Sequence, residues 1–216
     1  MPYLPYLLCY PLRMNFVVLS TSRGTVFEST LNRISDGSLS AKCLGLITDR
    51  ADRGCIEKAR TANLPVKIVP IQKDEPREDY DKRLDQAILD LVGSQSSKLI
   101  AHSFIIACQG WMRILSPWFV RKWRNRILNV HPSLLPNHKG AHAHELVLKS
   151  GDNISGMTVH MVEESVDNGK ILLQKSCPVR PDDTEETLKA RVQELEKEWY
   201  PRVLEMIERG EIRLPE

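Results

Sequence analysis

The sequence predicts an α/β fold with a mainly parallel, twisted sheet flanked by helices. Three observations carry this reading. Short apolar runs rich in β-branched residues recur along the chain, and segments of helical period separate them in the first half. The 216 residues, 42% of them hydrophobic, also suffice for one sizeable core.

The chain opens with "MPYLPYLLCYPLR", which holds three prolines but neither a basic leader before its apolar part nor a small-residue cleavage pattern. A second methionine, Met14, directly precedes the first buried run. Residues 1–13 are therefore expected to form an extension outside the fold, and residues 14–216 a single domain. Strands are expected at "FVVLS" (16–20), "CLGLIT" (43–48), "VKIVPI" (66–71), "FIIAC" (104–108), "RILNVH" (126–131), "MTVHMV" (157–162) and "KILLQKSCPV" (170–179). "GTVFESTLNRIS", "RGCIEKARTA" and "REDYDKRLDQAILDLV" read as crossover helices between the first four, a Rossmann-like doubly wound unit. The later strands follow one another more closely, which predicts some antiparallel pairing in the C-terminal part. From Thr184 onward, Leu188, Val192, Leu195, Trp199, Val203 and Met206 recur at spacings of three and four, the stripe of a long helix that Pro201 should kink or divide. "GSQSSK" (93–98) is the expected loose loop.

The bulk chemistry narrows the function classes. Thirty Lys and Arg nearly balance 28 Asp and Glu, and the formal charge of +2 gives no bulk attraction to nucleic acid or membrane. The basic aromatic run "WFVRKWRNR" (118–126) reads as a solvated helix with buried Trp and Phe rather than an RNA platform. No run approaches the roughly 18 apolar residues of a membrane span. The five cysteines, Cys9, Cys43, Cys55, Cys108 and Cys177, lie apart with no C-x-x-C pair, as suits reduced, mostly buried thiols in the cytoplasm.

Ligands of such sheets bind outside the carboxyl ends of the strands. That directs attention to "STSRGT" after the first strand, "QGWMRIL" after the fourth and "NVHPSLLP" at the end of the fifth. In the first, Ser22, Arg23, Gly24 and Thr25 are the residue types that hold an anion at a helix N-terminus, although an ordinary turn uses them too. In the third region, four of the six histidines fall within 14 residues. Their spacing fits no usual zinc pattern, so no metal is expected. His138, His142 and His144 read as capping, packing or rim residues. His131 differs, because a buried strand delivers it with Asn129 two residues earlier on the same side. Together they can donate to one oxygen, as an oxyanion requires, or His131 can be a satisfied core histidine. Asp167, in the turn of "ESVDNGKILLQ", is a turn former or a carboxylate that orients His131.

"ILNVHPSLLPNHKGAHAHELVL" and "GMTVHMVEESVDNGKILLQ" together resemble the glycinamide ribonucleotide formyltransferases. The N-x-H-P-S-L-L-P run followed some 35 residues later by a D-x-G turn is specific to folate-linked formyl transfer, and the likeness extends from Met14 to about Gly210. The resemblance implies a Rossmann-like formyltransferase fold that moves the formyl group of 10-formyltetrahydrofolate to the amine of glycinamide ribonucleotide by direct attack. It implies that Asn129, His131 and Asp167 are catalytic. It sets the folate against Trp111, Met112, Arg113, Ile114, Leu115 and Asn129, with Arg77 and Arg113 for its carboxylate end. It sets the substrate phosphate on Gly24 and Thr25, with Arg23 and Val26 also in the substrate site and Gln193 and Glu196 at the ribonucleotide. A monomer or homodimer, with no nucleic-acid or membrane partner, is expected.

One departure bears on substrate choice. The family's phosphate loop usually reads S-G-x-G-[ST]-N, whereas residues 21–26 read "TSRGTV", with Ser22 for a glycine and Val26 for the substrate-contacting asparagine. Loss of a charge-assisted hydrogen bond there costs roughly 1.5–3 kcal/mol unless Arg23 replaces it. The alternatives are a formyltransferase for another amine, such as an amino sugar nucleotide or a charged tRNA, and an inactive folate- or nucleotide-binding homologue. The length leaves no room for an additional tRNA-binding domain, which favours the purine reading.

Overall fold

The computed structural model describes residues 14–93 and 104–215. The expectations for the extension at 1–13 and for most of the loop at 93–98 fall outside them. Seven strands form one sheet: β1 (Asn15–Leu19), β2 (Lys42–Thr48), β3 (Val66–Ile68), β4 (Phe104–Cys108), β5 (Ile127–His131), β6 (Ile154–Met161) and β7 (Ile171–Pro178). Their spatial order is β3-β2-β1-β4-β5-β6-β7. The first five run parallel, and β5–β6 and β6–β7 pair antiparallel.

Alternation along β1 shows why the parallel strands read as unbroken apolar runs. Phe16 and Val18 enter one hydrophobic cluster, and Val17 and Leu19 enter the other. The first cluster lies beneath α1 (Thr25–Ser35), α2 (Cys55–Thr61) and the C-terminal helix α6 (Glu185–Glu208), with Val147 of α5 (Ala143–Ser150) at its margin. The second lies beneath α3 (Arg77–Val92) and the short α4 (Pro117–Lys122). Helix α4 is built from the basic aromatic run. Ser116 caps it by accepting the Phe119 N–H at 3.3 Å, and Pro117 occupies its first turn. Phe119 and Trp123 are buried, with Trp123 5.5 Å from the Phe104 ring, so the aromatic residues serve the core while Arg121 pairs outward with Glu164.

Two expectations need correction. Helix α6 is not divided at Pro201 but continues for 24 residues. Tyr200, Pro201, Val203 and Leu204 are all buried there, and this packing outweighs the hydrogen bond the proline cannot donate. Strand β6 begins three residues before the apolar run "MTVHMV", because pairing with β7 extends from Ile154↔Pro178. Among the described residues no helix is long and apolar enough to cross a membrane.

Asp85 ties the second layer together, accepting the Trp123 Nε1–H at 2.9 Å and pairing with Lys122 at 2.5 Å from a position 6% exposed. Asp85→Ala strands a buried indole N–H and is expected to lower unfolding free energy by about 1–3 kcal/mol in urea titration.

Candidate active site

The order of the strands reverses at β1, since the chain crosses outward to β2 and β3 and then returns to place β4 on β1's other side. The loops leaving β1 and β4 are bound to each other there. Thr21 N–H donates to the Gly110 carbonyl at 3.0 Å, and the Met112 N–H donates to Thr21 Oγ1 at 3.0 Å. Cys108 is the register partner of Asn129, so the 109–115 loop departs beside the end of β5. The sequence-predicted regions thus share one rim of the sheet.

On β5, Leu128 and Val130 point into the first cluster, leaving Asn129 and His131 on the opposite face. Across the antiparallel ladder they stand opposite His160 and Thr158. His160 was not anticipated from sequence; the available signal was that Thr158 and His160, polar and two apart within an apolar strand, repeat the spacing of Asn129 and His131. Its Nδ1–H donates to the Met161 carbonyl at 2.8 Å, which leaves Nε2 to accept from Asn129 Nδ2 at 3.2 Å. Burial lowers its pKa against the opposing pull of that carbonyl and of Asp167, consistent with a neutral ring. The Asn129 amide is thereby oriented, with its second N–H still to spend.

Asp167 reaches the cluster from the turn after β6. It sits at φ +50 and its Oδ2 accepts the Gly140 N–H at 2.9 Å. His131 Nδ1 is 3.3 Å from Oδ2, and His160 Nε2 is 3.6 Å from Oδ1. The D-x-G pattern has a steric cause: a Cβ on Gly169 would lie 1.9 Å from the Met161 carbonyl oxygen, so only glycine lets this turn close on β6. His131 is 4% exposed, and its Nε2–H donates to the His138 carbonyl at 2.8 Å. The two ring nitrogens of His131 thus face the His138 carbonyl and the Asp167 carboxylate.

At the start of α1, Gly24 has φ +79, and a Cβ there would meet Cys55 Cβ at 2.8 Å. Ser22 Oγ accepts the Gly24 N–H at 3.1 Å, occupying one amide from within the loop. Arg23 is exposed and Thr25 half-buried beside it, but Val26 is buried in the first hydrophobic cluster, so its side chain serves the core. In the 109–115 loop, Met112 is 71% and Ile114 55% exposed, over a buried Trp111 whose Nε1 has no protein partner and a nearly buried Leu115. Arg113 is engaged within the fold, 5.0 Å above the Tyr80 ring and 3.9 Å from Asp49, while Arg77 lies exposed at the start of α3. On α6, Gln193 and Glu196 are half-buried, and burial pushes the Glu196 carboxyl up to about 7 against the pull of Lys189. No cluster among the described residues could hold a metal ion.

His144, on α5, is also buried, and its Nδ1 has no protein partner. Burial, then Lys189 and His131, depress its pKa from 6.5 to about 4. Below pH 6.5 the unfolded chain takes up a proton that the folded chain refuses, so stability falls as pH drops through this window and is unaffected above it. Between pH 7 and 4.5 the His144 contribution is expected to be about 2–3 kcal/mol, measured as the difference in that loss between the parent and His144→Asn in urea titrations.

A formyl transferase family model matches residues 14–204. The chain is 32% identical over 203 residues to the phosphoribosylglycinamide formyltransferase of Escherichia coli (strain K12), covering 94% of this chain and 91% of that one. It is 34% identical over 204 residues to the trifunctional purine biosynthetic protein adenosine-3 of Gallus gallus, spanning 94% of this chain but only 19% of that much longer protein. The crystal structure of glycinamide ribonucleotide transformylase 1 from Symbiobacterium toebii superposes with a TM-score of 0.83 at 28% identity, covering 94% of this chain and 95% of that one. With its sheet order, its polar cluster at the end of β5 and these likenesses taken together, the chain belongs to the phosphoribosylglycinamide formyltransferase family.

Proposed function

We propose that the protein transfers the formyl group of 10-formyltetrahydrofolate to the amine of glycinamide ribonucleotide, in the cytoplasm and as a monomer or homodimer. The observation that carries this reading is the convergence of Asn129, His131 and Asp167, with His131 and Asp167 3.3 Å apart although distant in sequence. The four described cysteines are buried and unpaired, in keeping with a reducing compartment.

10-Formyltetrahydrofolate supplies an activated formyl carbon. The exposed Met112 and Ile114 suit a flat, partly apolar ring system. As the substrate amine adds to the formyl carbon, the formyl oxygen gains negative charge. Asn129 Nδ2 donates its remaining N–H to that oxygen, and His131 donates from Nδ1 while Nε2 stays on the His138 carbonyl. Asp167, beside the His131 ring, accepts the proton the amine loses and returns it through water to the departing folate nitrogen. The ribonucleotide phosphate rests on Arg23, Gly24 and Thr25, and Gln193 and Glu196 face its sugar. Burial favours the neutral form of Glu196, which lessens its repulsion of the phosphate.

A second reading has its own support. Ser22 already occupies the Gly24 amide and Val26 is given to the core, which leaves fewer groups for a phosphate and favours a different amine, such as an amino sugar nucleotide. A spectrophotometric assay with 10-formyltetrahydrofolate and each acceptor separates the two. Turnover with glycinamide ribonucleotide is expected; turnover confined to the amino sugar nucleotide transfers the chemistry to that substrate.

In the same assay His131→Ala and Asp167→Asn are each expected to lower kcat by about 10²–10³-fold, with folate affinity changed only a few-fold. Undiminished turnover in His131→Ala removes the mechanism. Arg23→Ala is expected to raise the KM for the ribonucleotide about tenfold, the loss of roughly 1.4 kcal/mol, and to leave kcat nearly unchanged.

A further inference from the structure

His131 is held at Nε2 by a main-chain carbonyl seven residues further along, that of His138, at 2.8 Å. The same carbonyl accepts from Ser133 Oγ at 3.2 Å. Its direction depends on the conformation of residue 138, which lies at φ +53, a left-handed region costly for a residue with a side chain. The His138 side chain is anchored at the far end of α5, where its Nε2 is 2.6 Å from Asp152 Oδ2, just beyond the C-cap Gly151. The carboxyl of Asp152 is held below the usual range chiefly by this hydrogen bond, with Ser150 contributing. Neither residue belongs to the groups assigned above to substrate or folate.

We propose that the His138–Asp152 pair is a positioning device for His131: it anchors residue 138 in the left-handed conformation that aims its carbonyl at Nε2, and so keeps Nδ1 turned to Asp167. Without the anchor the 138 peptide relaxes toward ordinary dihedrals and the His131 ring loses one of its two fixed partners. The inference rests on the reading of His131 as the donor in formyl transfer. Both residues act through His131, so their loss should fall on kcat and on the state of the ring.

The test is steady-state kinetics with 10-formyltetrahydrofolate and glycinamide ribonucleotide, joined to 15N NMR of the His131 ring. The variants are Asp152→Ala, Asp152→Asn, His138→Ala, His138→Asn, the double alanine and His131→Ala. Each single alanine is expected to lower kcat roughly 5- to 20-fold with both KM values within about twofold, and the double variant to be no worse than either, as one coupled unit requires. Both asparagine variants should retain most activity, since Asp152→Asn still presents an accepting oxygen and asparagine tolerates the left-handed region. In Asp152→Ala the 15N resonance of His131 Nε2 should shift as its hydrogen bond to the His138 carbonyl weakens. Asp152 is 41% exposed, so its removal should leave the fold intact even if a His138 variant does not fold. An unchanged kcat or an unchanged His131 nitrogen pattern in Asp152→Ala overturns the proposal, as does a loss confined to KM. If His131→Ala keeps full turnover, the mechanism itself fails; if His131→Ala is inactive while Asp152→Ala is unimpaired, only the positioning role fails. The NMR pattern decides even with an acceptor that is not turned over.

Discussion

Strand β1 cannot present any side chain to water, because Asn15 to Leu19 are buried between β2, β4 and helices on both faces. That double burial accounts for the arrangement around it. Parallel neighbours on both sides require crossover helices, and reversal of the crossover direction at β1 opens a crevice beyond its carboxyl end. The anion-type loop after β1 and the apolar loop after β4 are then bonded together through Thr21 and Gly110. The proposed site lies where the second helical layer stops, since α4 covers Ile127 and the face beyond it carries Asn129, His131, Thr158 and His160.

Four such polar side chains on a sheet face are expensive unless paired, and the structure pairs them by fixing their roles. His160 has one nitrogen spent on Met161 and the other orienting Asn129. Thr158 accepts from the Leu135 N–H and from Gln174, and donates to the Ser133 carbonyl, which secures the loop carrying the two prolines after His131. Asp167 and the His138 carbonyl hold the two nitrogens of His131. A site whose donors are oriented before substrate arrives spends little on reorganisation when charge develops.

The first loop shows how packing and local hydrogen bonds limit what a turn can offer a ligand. Gly24 is kept by the close approach of Cys55, a backbone requirement independent of any ligand. Ser22 turns its hydroxyl onto the Gly24 amide, and Val26 fills the core beneath α1. The loop still opens a helix N-terminus, and Arg23 is exposed beside it.

Much of this was legible in the chain itself. Strand periods, the crossover helices, the antiparallel tendency of the later strands, and the shared side of Asn129 and His131 all follow from local backbone geometry, which repeats every two or 3.6 residues. The N-x-H-P-S-L-L-P run and the D-x-G turn carried the family. Other features required the folded molecule: His160 opposite Asn129, the Asp167 turn closing on β6 through Gly169, Ser22 folded onto Gly24, Val26 withdrawn into the core, and helix α6 continuing through Pro201. Each depends on what a residue meets far away in sequence. Periodicity records which way a side chain leaves its own backbone, whereas its partner is decided by strand register, turn closure and packing.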